Sequence, residues 1–322
     1  MNVLSLFDGI SAGRVALERA GIEVTNYYAS EIDKYAIQIA QGNYADTQQL
    51  GDINQWTSWG LPKIDLLIGG SPCQGFSFAG KQLNFNDPRS ALFFKFVEVL
   101  KHYVPKYFML ENVVMKQEYQ DAISEALGVQ PIMINSALLS AQTRKRLYWT
   151  NIPNIEQPED LGIYVKDILE DGYADRDKAH CIDANYCKGG NLKSYFEKHR
   201  GQLVFDEPPY IATILGRRVN ERGVRDDYNK DIKPRQYVEQ RHTGKSNCLT
   251  TVQKDNVVIY EPLTQRTPVA EVKYRKLTPI ECERLQTFPD NYTNFASNTQ
   301  RYKALGNSWT VDVIAHIFKG LK

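Results

Sequence analysis

The sequence has little of several features that would mark a specialised class of protein. Among 322 residues there are five cysteines, and no two of them form a CxxC pair. An odd count without a repeated spacing is atypical of a disulfide scaffold and of structural zinc. No apolar run approaches the ~18 residues that a membrane span needs, and the first ten residues lack the basic region and cleavage site of a signal peptide. We therefore expect free thiols, no metal, no membrane partner and a cytoplasmic location.

An excess of one charge is also missing from the chain as a whole. Lys and Arg number 39 against 38 for Asp and Glu, which gives a net charge of +1. Any surface for nucleic acid must therefore be local. Residues 186–254 provide one, with 14 basic against 8 acidic side chains and five interleaved tyrosines.

Apolar patterning predicts an α/β fold followed by a different, irregular region. Residues 1–154 alternate short apolar runs with amphipathic segments, which predicts a mostly parallel sheet with helices on both faces. From Ile155 prolines punctuate the chain and helical periodicity fades, so residues 155–274 are predicted to form a smaller, irregular, β-rich domain. Residues 275–322 return to the first domain. Strands are predicted at 2–7, 26–31, 64–68, 107–110, 132–137 and 147–151, and helices at 11–20, 33–42, 87–103, 118–127, 279–285 and 308–318.

Three features of the first domain point to a nucleotide-like ligand. The turn LFDGISAG, residues 6–13, joins a strand to a helix and lets the backbone approach a ligand. Glu31 ends the next strand, where doubly wound folds bind a ribose diol. Asp52 is suited to accept a hydrogen bond from an adenine amino group. Each has a plainer interpretation: a connecting turn, a solvated strand end and a turn aspartate.

A stronger signal is GGSPCQGFS, residues 69–77. Its Cys73 lies just past the carboxyl end of a predicted parallel strand, where open sheets place their sites, and this favours a nucleophile over a packing cysteine. Glu111 and Asn112 end another strand at the same edge and supply an acid, or only a helix cap.

The alternation in QTRKR, residues 142–146, places three polar side chains on one face of an extended chain. Gln142, Arg144 and Arg146 therefore suggest an anion or substrate contact. An edge strand with outward charges is the alternative.

In chain order, LFDGISAG, Glu31, GDI, GGSPC, ENV, QTRKR, RKLTPIECERLQTFPD and ALGNS resemble the motifs of the DNA (cytosine-5) methyltransferases. The resemblance covers residues 1–152 and 274–320. It implies a Rossmann-like sheet of the S-adenosylmethionine-dependent methyltransferases, S-adenosyl-L-methionine as cofactor, and residues 155–274 as a target recognition domain. It further implies double-stranded DNA as partner and a monomeric, stand-alone bacterial or phage enzyme. A cognate restriction endonuclease would be a functional rather than a physical partner.

By the same resemblance, several motifs build the cofactor pocket. Phe7 would stack near the adenine, Gly9 would approach the methionine end, and Glu31 would hold the ribose hydroxyls. The adenine amino group would meet Asp52, and Ile32 would pack on the ring. The full predicted set is Phe7, Asp8, Gly9, Ile10, Glu31, Ile32, Asp52, Ile53, Pro72, Leu92, Asn307 and Ser308.

The implied chemistry begins at Cys73, whose thiolate attacks carbon 6 of cytosine and gives carbon 5 enamine character. Glu111, in its protonated form, would hydrogen-bond ring nitrogen 3. Arg146 would hold the carbonyl at carbon 2 and orient Glu111, while Asn112 steadies the loop. Arg144 would meet a phosphate or brace the catalytic loop.

Such chemistry requires a flipped-out base, so DNA contacts are predicted in two places. In the recognition domain, arginines could meet phosphates or guanine edges, or lie on solvated loops. The predicted contacts are Gln74, Ser77 and Arg89 near the nucleophile, and Arg217, Arg218, Arg222, Arg225, Arg235 and Arg241 in the domain.

The motifs depart from the commonest pattern at two positions. Ser71 replaces the proline of Pro-Pro-Cys, and Trp309 follows GNS where valine is common. With ENVV these resemble the branch that contains the animal de novo DNA methyltransferases.

The competing hypotheses are an RNA methyltransferase, a non-catalytic DNA-binding regulator and an NAD-dependent oxidoreductase. The large basic domain favours duplex DNA over RNA, the intact set around Cys73 disfavours a regulator, and an oxidoreductase leaves the later motifs unexplained.

Overall fold

The computed structural model describes residues 1–71, 91–188, 195, 201–206, 210–218, 229–233, 235–240, 256–259 and 274–322. The helices in these ranges are α1 (Ala12–Arg19), α2 (Lys34–Asn43), α3 (Ala91–Tyr103), α4 (Gln117–Leu127), α5 (Pro279–Leu285), α6 (Asn298–Asn307) and α7 (Val311–Phe318). The strands are β1 (Asn2–Leu6), β2 (Asn26–Ser30), β3 (Gln48–Gln49), β4 (Leu66–Gly69), β5 (Tyr107–Val113), β6 (Pro131–Asn135), β7 (Gln142–Thr143), β8 (Lys145–Thr150), β9 (Ala179–His180), β10 (Leu203–Phe205), β11 (Tyr210–Arg217), β12 (Arg235–Gln240), β13 (Asn256–Ile259) and β14 (Tyr274–Lys276).

A seven-stranded sheet organises the fold, in the order β3-β2-β1-β4-β5-β8-β6. Pairings from β3 to β5 are parallel, and β8 is antiparallel to both β5 and β6. The strand order reverses at β1, which lies between β2 and β4. In open α/β sheets, ligands bind outside the carboxyl ends of the strands at such a reversal. The topology therefore confirms the predicted mostly parallel sheet and places the expected site beyond Leu6.

Helices cover both faces of this sheet because alternate side chains of each strand point to opposite sides. Leu4 and Leu67 belong to a buried cluster that includes Phe96 of α3 and Ile123 of α4. On the other face, α1 approaches so closely that a Cβ on Gly13 would lie 2.3 Å from Ile68 Cδ1. Truncating a fully buried aromatic side chain in such a core typically costs about 3–5 kcal/mol.

The segment from Thr278 begins with a well-specified helix. Thr278 Oγ1 accepts the Glu281 N–H at 3.2 Å, and Glu281 Oε2 accepts the Thr278 N–H at 2.8 Å. Pro279 occupies the first turn, where its missing N–H costs nothing. These local signals explain why the predicted range of α5 matches the observed one.

Several predicted elements differ from the structure, and the strand expected at 107–110 continues to Val113. The helix expected at 308–318 begins only at Val311, because the backbone from Ser308 to Thr310 is extended. The strand expected at 132–137 ends at Asn135, whose side chain accepts the Ala137 N–H and starts a 3-10 turn. The start of the predicted helix at 87–103 lies outside the described residues.

The chain divides into two compact units. The larger comprises residues 1–168, 178–201 and 278–322, and the smaller comprises 169–177 and 202–277. The larger unit thus continues past residue 154, the predicted boundary. In the smaller unit, β11 pairs with both β12 and β13, and β10 pairs with β14. No helix in the described ranges is long and apolar enough to cross a membrane.

Candidate active site

The turn between β1 and α1 follows an unusual backbone path. Phe7, Gly9 and Ser11 have φ angles of 58°, 60° and 60°. Only glycine adopts this region without steric cost, so the two side-chain-bearing residues must be held there by their surroundings. A Cβ added at Gly9 would meet no atom within 4 Å. The turn therefore faces open space at Gly9, where a ligand can approach the backbone.

Asp8, in the same turn, is directed into the protein. Its Oδ2 accepts a hydrogen bond from Ser11 Oγ at 2.6 Å, and its Oδ1 accepts one from the Tyr27 hydroxyl at 2.8 Å. Burial raises the pKa of Asp8 above its ordinary value, although these hydrogen bonds act in the opposite direction. Asp8 therefore shapes the turn from the inside, and Ile10 beside it is 1% exposed and belongs to the core.

Glu31, at the end of β2, is fixed by three backbone N–H groups. Its Oε2 accepts from Gly9 at 2.8 Å, and its Oε1 accepts from Ile32 and Asp33, each at 2.8 Å. Carboxylate oxygens carry further lone pairs, so the side chain is oriented and can still accept bonds from a ligand. Ile32 next to it is 75% exposed, which leaves an apolar side chain uncovered beside a fixed carboxylate.

The turn after β3 presents Asp52 at the same edge. Asp52 is exposed, and its Oδ1 accepts the Asn54 N–H at 2.9 Å, which caps a 3-10 turn. Ile53 is buried in the sheet core. Leu92 of α3 is half-buried and packs against that same core.

The segment after α6 carries a buried polar group that lacks a protein partner. Ser308 is 7% exposed, and within the described part of the chain its Oγ has no hydrogen bond. Asn307 beside it is exposed. A buried unpaired hydroxyl is costly unless a ligand or water completes it. The fixed Glu31 carboxylate bonds to Gly9, beside open space, and this pair suits a ligand with hydroxyl donors.

Glu111, near the end of β5, is held by two donors. Its Oε1 lies 3.0 Å from Arg146 Nε, and its Oε2 accepts the Trp309 Nε1–H at 3.0 Å. Glu111 is 9% exposed. Burial lowers the pKa of Arg146, but the Glu111 carboxylate opposes this and the net shift is upward. A carboxyl group with fixed orientation thus lies at the carboxyl edge of the sheet, between a cation and an indole.

Asn112 ties this strand to the end of the β4 strand. Its Nδ2 donates to the Ser71 carbonyl at 3.3 Å, and its own Oδ1 accepts the Val113 N–H at 2.8 Å. Ser71 immediately precedes the predicted nucleophile loop. Pro72, Cys73, Gln74, Ser77 and Arg89 lie outside the described residues.

Arg144 is buried and forms its hydrogen bonds with the protein. Its Nη1 donates to the Ile182 carbonyl at 3.0 Å, and its Nη2 donates to the carbonyls of Ser308 at 2.9 Å and Gly306 at 3.3 Å. Burial and the neighbouring charge of Arg146 lower the pKa of Arg144. The Arg144 guanidinium therefore braces the chain at Ile182, Gly306 and Ser308.

Comparison with known proteins identifies the family. The profile of the C-5 cytosine-specific DNA methylases matches residues 1–322. The chain belongs to this family. It is accordingly a DNA (cytosine-5) methyltransferase, and its motif order is that of the family.

Curated relatives of this methylase extend over nearly the whole chain. Type II methyltransferase M.NlaX of Neisseria lactamica is 30% identical, over 99% of this chain and 96% of the relative. Orphan methyltransferase M.SPRI of Bacillus phage SPR is 28% identical, over 100% of this chain and 97% of the relative. Among solved structures, a DNMT2 mutant of Spodoptera frugiperda has a TM-score of 0.63 at 19% identity and covers 99% of both chains. This last likeness concerns the fold.

One residue of the methylase site was not anticipated from sequence. Gln286, in the LTPIECERLQTFPD block, is fully buried and accepts hydrogen bonds from Gln142 Nε2 at 2.8 Å and Thr310 Oγ1 at 2.9 Å. Its Nε2 donates to the Leu305 carbonyl at 2.8 Å. Gln142 thus serves the interior instead of a substrate. Gln286 follows a helix that contains Glu281, Glu283 and Arg284, so its polarity gives no local signal of burial.

The cysteines of the methylase have different surroundings. Cys282 is fully buried, and burial raises the pKa of its thiol well above the ordinary value. Cys181 Sγ lies 3.0 Å from Arg144 Nη1, a contact that sequence did not suggest. Among the described residues, no group of three His, Cys, Asp or Glu side chains is placed to hold a metal.

Three of the predicted DNA-contacting arginines, Arg217, Arg218 and Arg235, belong to the described part of the smaller unit. The register of β11 and β12 places Arg217 directly opposite Arg235. Arg218 Nε donates to the Ile232 carbonyl at 2.9 Å, so its guanidinium joins two segments of the smaller unit. Arg222, Arg225 and Arg241 lie outside the described residues.

Proposed function

We propose that the protein transfers the methyl group of S-adenosyl-L-methionine to carbon 5 of a cytosine flipped out of duplex DNA, through a covalent bond between Cys73 and carbon 6. The observation that carries this proposal is the Glu111 carboxyl group, fixed between Arg146 and Trp309. The same strand holds Ser71, two residues before Cys73, through Asn112. The acid therefore lies on the strand that bonds to Ser71, which precedes the Pro72-Cys73 segment in sequence.

The cofactor would be held along the carboxyl ends of β1, β2 and β3. Glu31 would accept hydrogen bonds from the ribose hydroxyls, and Ile32 would gain apolar contact on binding. Asp52 and Ser308 would supply polar contacts, with Phe7 and Pro72 lining the pocket. When bound, S-adenosylmethionine supplies a methyl group on a positively charged sulfur, ready for attack by a nucleophilic carbon.

The chain's own residues would make cytosine such a nucleophile. The Cys73 thiolate forms a bond to carbon 6 while Glu111 gives a proton to ring nitrogen 3, so the electron pair of the broken ring double bond is available at carbon 5. Arg146 keeps Glu111 in place and meets the carbonyl at carbon 2. Carbon 5 would take the methyl group, while the bonding pair stays on the cofactor sulfur of the departing neutral thioether. Carbon 5 would then lose its proton to water, the bond between carbons 5 and 6 would become double as Cys73 leaves as a thiolate, and ring nitrogen 3 would return its proton to Glu111. Positioned acid–base groups of this kind typically contribute about 100- to 10,000-fold.

Duplex DNA would be read by the smaller unit. Its arginines, among them Arg217 and Arg235 on paired strands, would meet phosphates. The target base must leave the stack to reach Cys73.

The role in the cell would be protection of DNA at a specific sequence. Curated relatives named as type II methyltransferases support this interpretation. A cognate restriction endonuclease would then share the recognised sequence without binding this protein, which we expect to act as a monomer in the cytoplasm.

The test is nucleoside mass spectrometry on unmethylated genomic DNA incubated with the protein and S-adenosylmethionine. New 5-methylcytosine is expected with the wild-type protein and none with Cys73→Ser. Calorimetry with S-adenosylmethionine should give nearly equal affinities for the two proteins, because the substituted thiol serves the base and not the cofactor.

Parallel reactions with total RNA distinguish the alternatives. Methylation of RNA but not of DNA would overturn the choice of substrate. Turnover by Cys73→Ser would overturn the covalent mechanism, and loss of cofactor binding in that variant would make Cys73 structural.

A further inference from the structure

The indole of Trp309 contacts the carboxyl group on which the proposed chemistry depends. Trp309 Nε1 donates to Glu111 Oε2 at 3.0 Å, and Arg146 occupies the other oxygen. The indole N–H is a donor without acceptor capacity, so it bonds only to an acceptor such as this carboxyl oxygen.

Two glycines make room for this indole. A Cβ on Gly70 would lie 3.0 Å from Trp309 Nε1 and 3.1 Å from Glu111 Oε2, so any side chain there would press on both partners. A Cβ on Gly13 would lie 3.4 Å from Trp309 Cζ3. The ring is thus bordered by the first turn of α1 and by the end of β4.

The backbone on either side of Trp309 is anchored as well. The Ser308 carbonyl accepts from Arg144 Nη2 at 2.9 Å. Thr310 Oγ1 donates to Gln286 Oε1 at 2.9 Å and accepts from Ser136 Oγ at 3.0 Å. With both neighbours fixed, the indole N–H has a defined direction.

We propose that Trp309 is a positioning residue that holds Glu111 for its bond to the cytosine ring. Arg146 fixes one carboxyl oxygen, and the indole fixes the other, which prevents rotation of the carboxyl plane. The hydroxyl oxygen of a protonated carboxyl group can donate to ring nitrogen 3 while the carboxyl oxygens still accept other hydrogen bonds, so the indole need not be displaced when the base binds. This inference rests on the proposed function and adds a residue to its machinery.

The kinetic test is Trp309→Phe, which keeps an aromatic ring between the two glycines and removes the donor. The loss of one hydrogen bond to a charged group typically changes a rate or equilibrium constant by about 10-fold or more. We expect kcat to fall about 10-fold, with little change in the KM for S-adenosylmethionine. Single-turnover rates with DNA are then measured in a Glu111→Gln background, where a residue acting through Glu111 should have a much smaller effect. An equal effect in both backgrounds would overturn the proposal.

A spectroscopic test does not depend on activity. The chain has four tryptophans, so ¹⁵N labelling gives few indole N–H signals to assign. In the Glu111→Gln protein the Trp309 signal should shift and exchange faster with solvent. The Trp149 signal, whose N–H is donated to Ser124 Oγ at 2.9 Å, should stay in place. An unchanged Trp309 signal would show that the contact is not formed in solution.

A pair of glycine variants provides the matched control. Gly70→Ala should lower kcat, because the new methyl group crowds both Trp309 and Glu111. Gly60→Ala places a methyl group where no atom lies within 4 Å and should leave kcat unchanged. If the wild-type protein methylates no nucleic acid, the proposed function fails. If the wild-type protein methylates DNA and both alanine variants have the same kcat as the wild type, only the proposed role of Trp309 fails.

Discussion

The two ends of the seven-stranded sheet hold their polar side chains by different means. At the β1–β2 end, Glu31 bonds to backbone groups 1, 2 and 22 positions away. At the β5–β8 end, the Glu111–Trp309 bond spans 198 positions and the Arg144–Ser308 bond spans 164. The Glu31 part of the proposed cofactor edge is thus built by residues near it in sequence, whereas the Glu111–Trp309 and Arg144–Ser308 contacts form only after the carboxyl-terminal segment has docked.

This difference has an energetic consequence. A carboxylate that is held by nearby backbone groups keeps its orientation when a contact between distant segments breaks, because the turn that holds it forms together with its strand. The Arg144 side chain holds together two segments that are 164 positions apart in sequence. Without this contact those segments regain conformational freedom, and the free energy of unfolding of the larger unit falls. Substitutions at the two ends should therefore separate ligand affinity from folding stability.

The largest effect is expected for Arg144→Gln, at the catalytic end. The variant leaves the carbonyls of Ile182, Gly306 and Ser308 without their buried donor. We expect the free energy of unfolding to fall by about 3 kcal/mol, measured by urea denaturation. Lys145→Gln, an exposed neighbour, is the control and should change stability little. Equal stability of the two variants would mean that the buried bonds of Arg144 are replaced by water.

The same division decides how much of the molecule is predictable from sequence. Strands β1 and β2 and helix α5 lie close to their predicted ranges, because apolar runs and caps are local signals. Helix α6 was not predicted. Its buried residues are Arg301, Leu305 and Gly306, so it has no apolar stripe to reveal it.

The candidate site follows the same rule. A motif can suggest that Glu31 faces a ligand, because the turn that orients it is adjacent in sequence. No pattern within QTRKR shows that Gln142 reaches Gln286, or that Arg144 reaches the chain at Ser308. Those contacts depend on which distant segment lies beside β7 and β8, and this is a property of the folded chain.

A smaller effect is expected for Glu31→Gln, at the cofactor end. An amide has one carbonyl oxygen, so it cannot accept from Gly9 and from Ile32 and Asp33 at opposite ends as the carboxylate does. We expect about a 10-fold loss of affinity for S-adenosylmethionine, measured by calorimetry, with a smaller loss of stability than in Arg144→Gln. Unchanged affinity would restrict Glu31 to bracing the turn.

The smallest effect is expected where a contact is both local and exposed. Asp290 accepts hydrogen bonds from Arg284, Nε to Oδ1 at 2.8 Å and Nη2 to Oδ2 at 2.6 Å, six positions away. The hydrogen bonds from Arg284 lower the pKa of Asp290 below its ordinary value, although burial acts in the opposite direction. Asp290→Asn should cost less than about 1 kcal/mol at neutral pH, because solvent screens exposed pairs.

The pH dependence of that cost tests its cause. A carboxyl group whose pKa is lower in the folded state stabilises the fold above its unfolded pKa, and this contribution disappears as the pH falls through the folded value. The stability difference between wild type and Asp290→Asn should therefore be constant near neutral pH and shrink below about pH 4. A difference that persists in acid would show that Asp290 acts through hydrogen-bond geometry and not through charge. A cost as large as that of Arg144→Gln would show that the distance in sequence between partners does not decide their contribution.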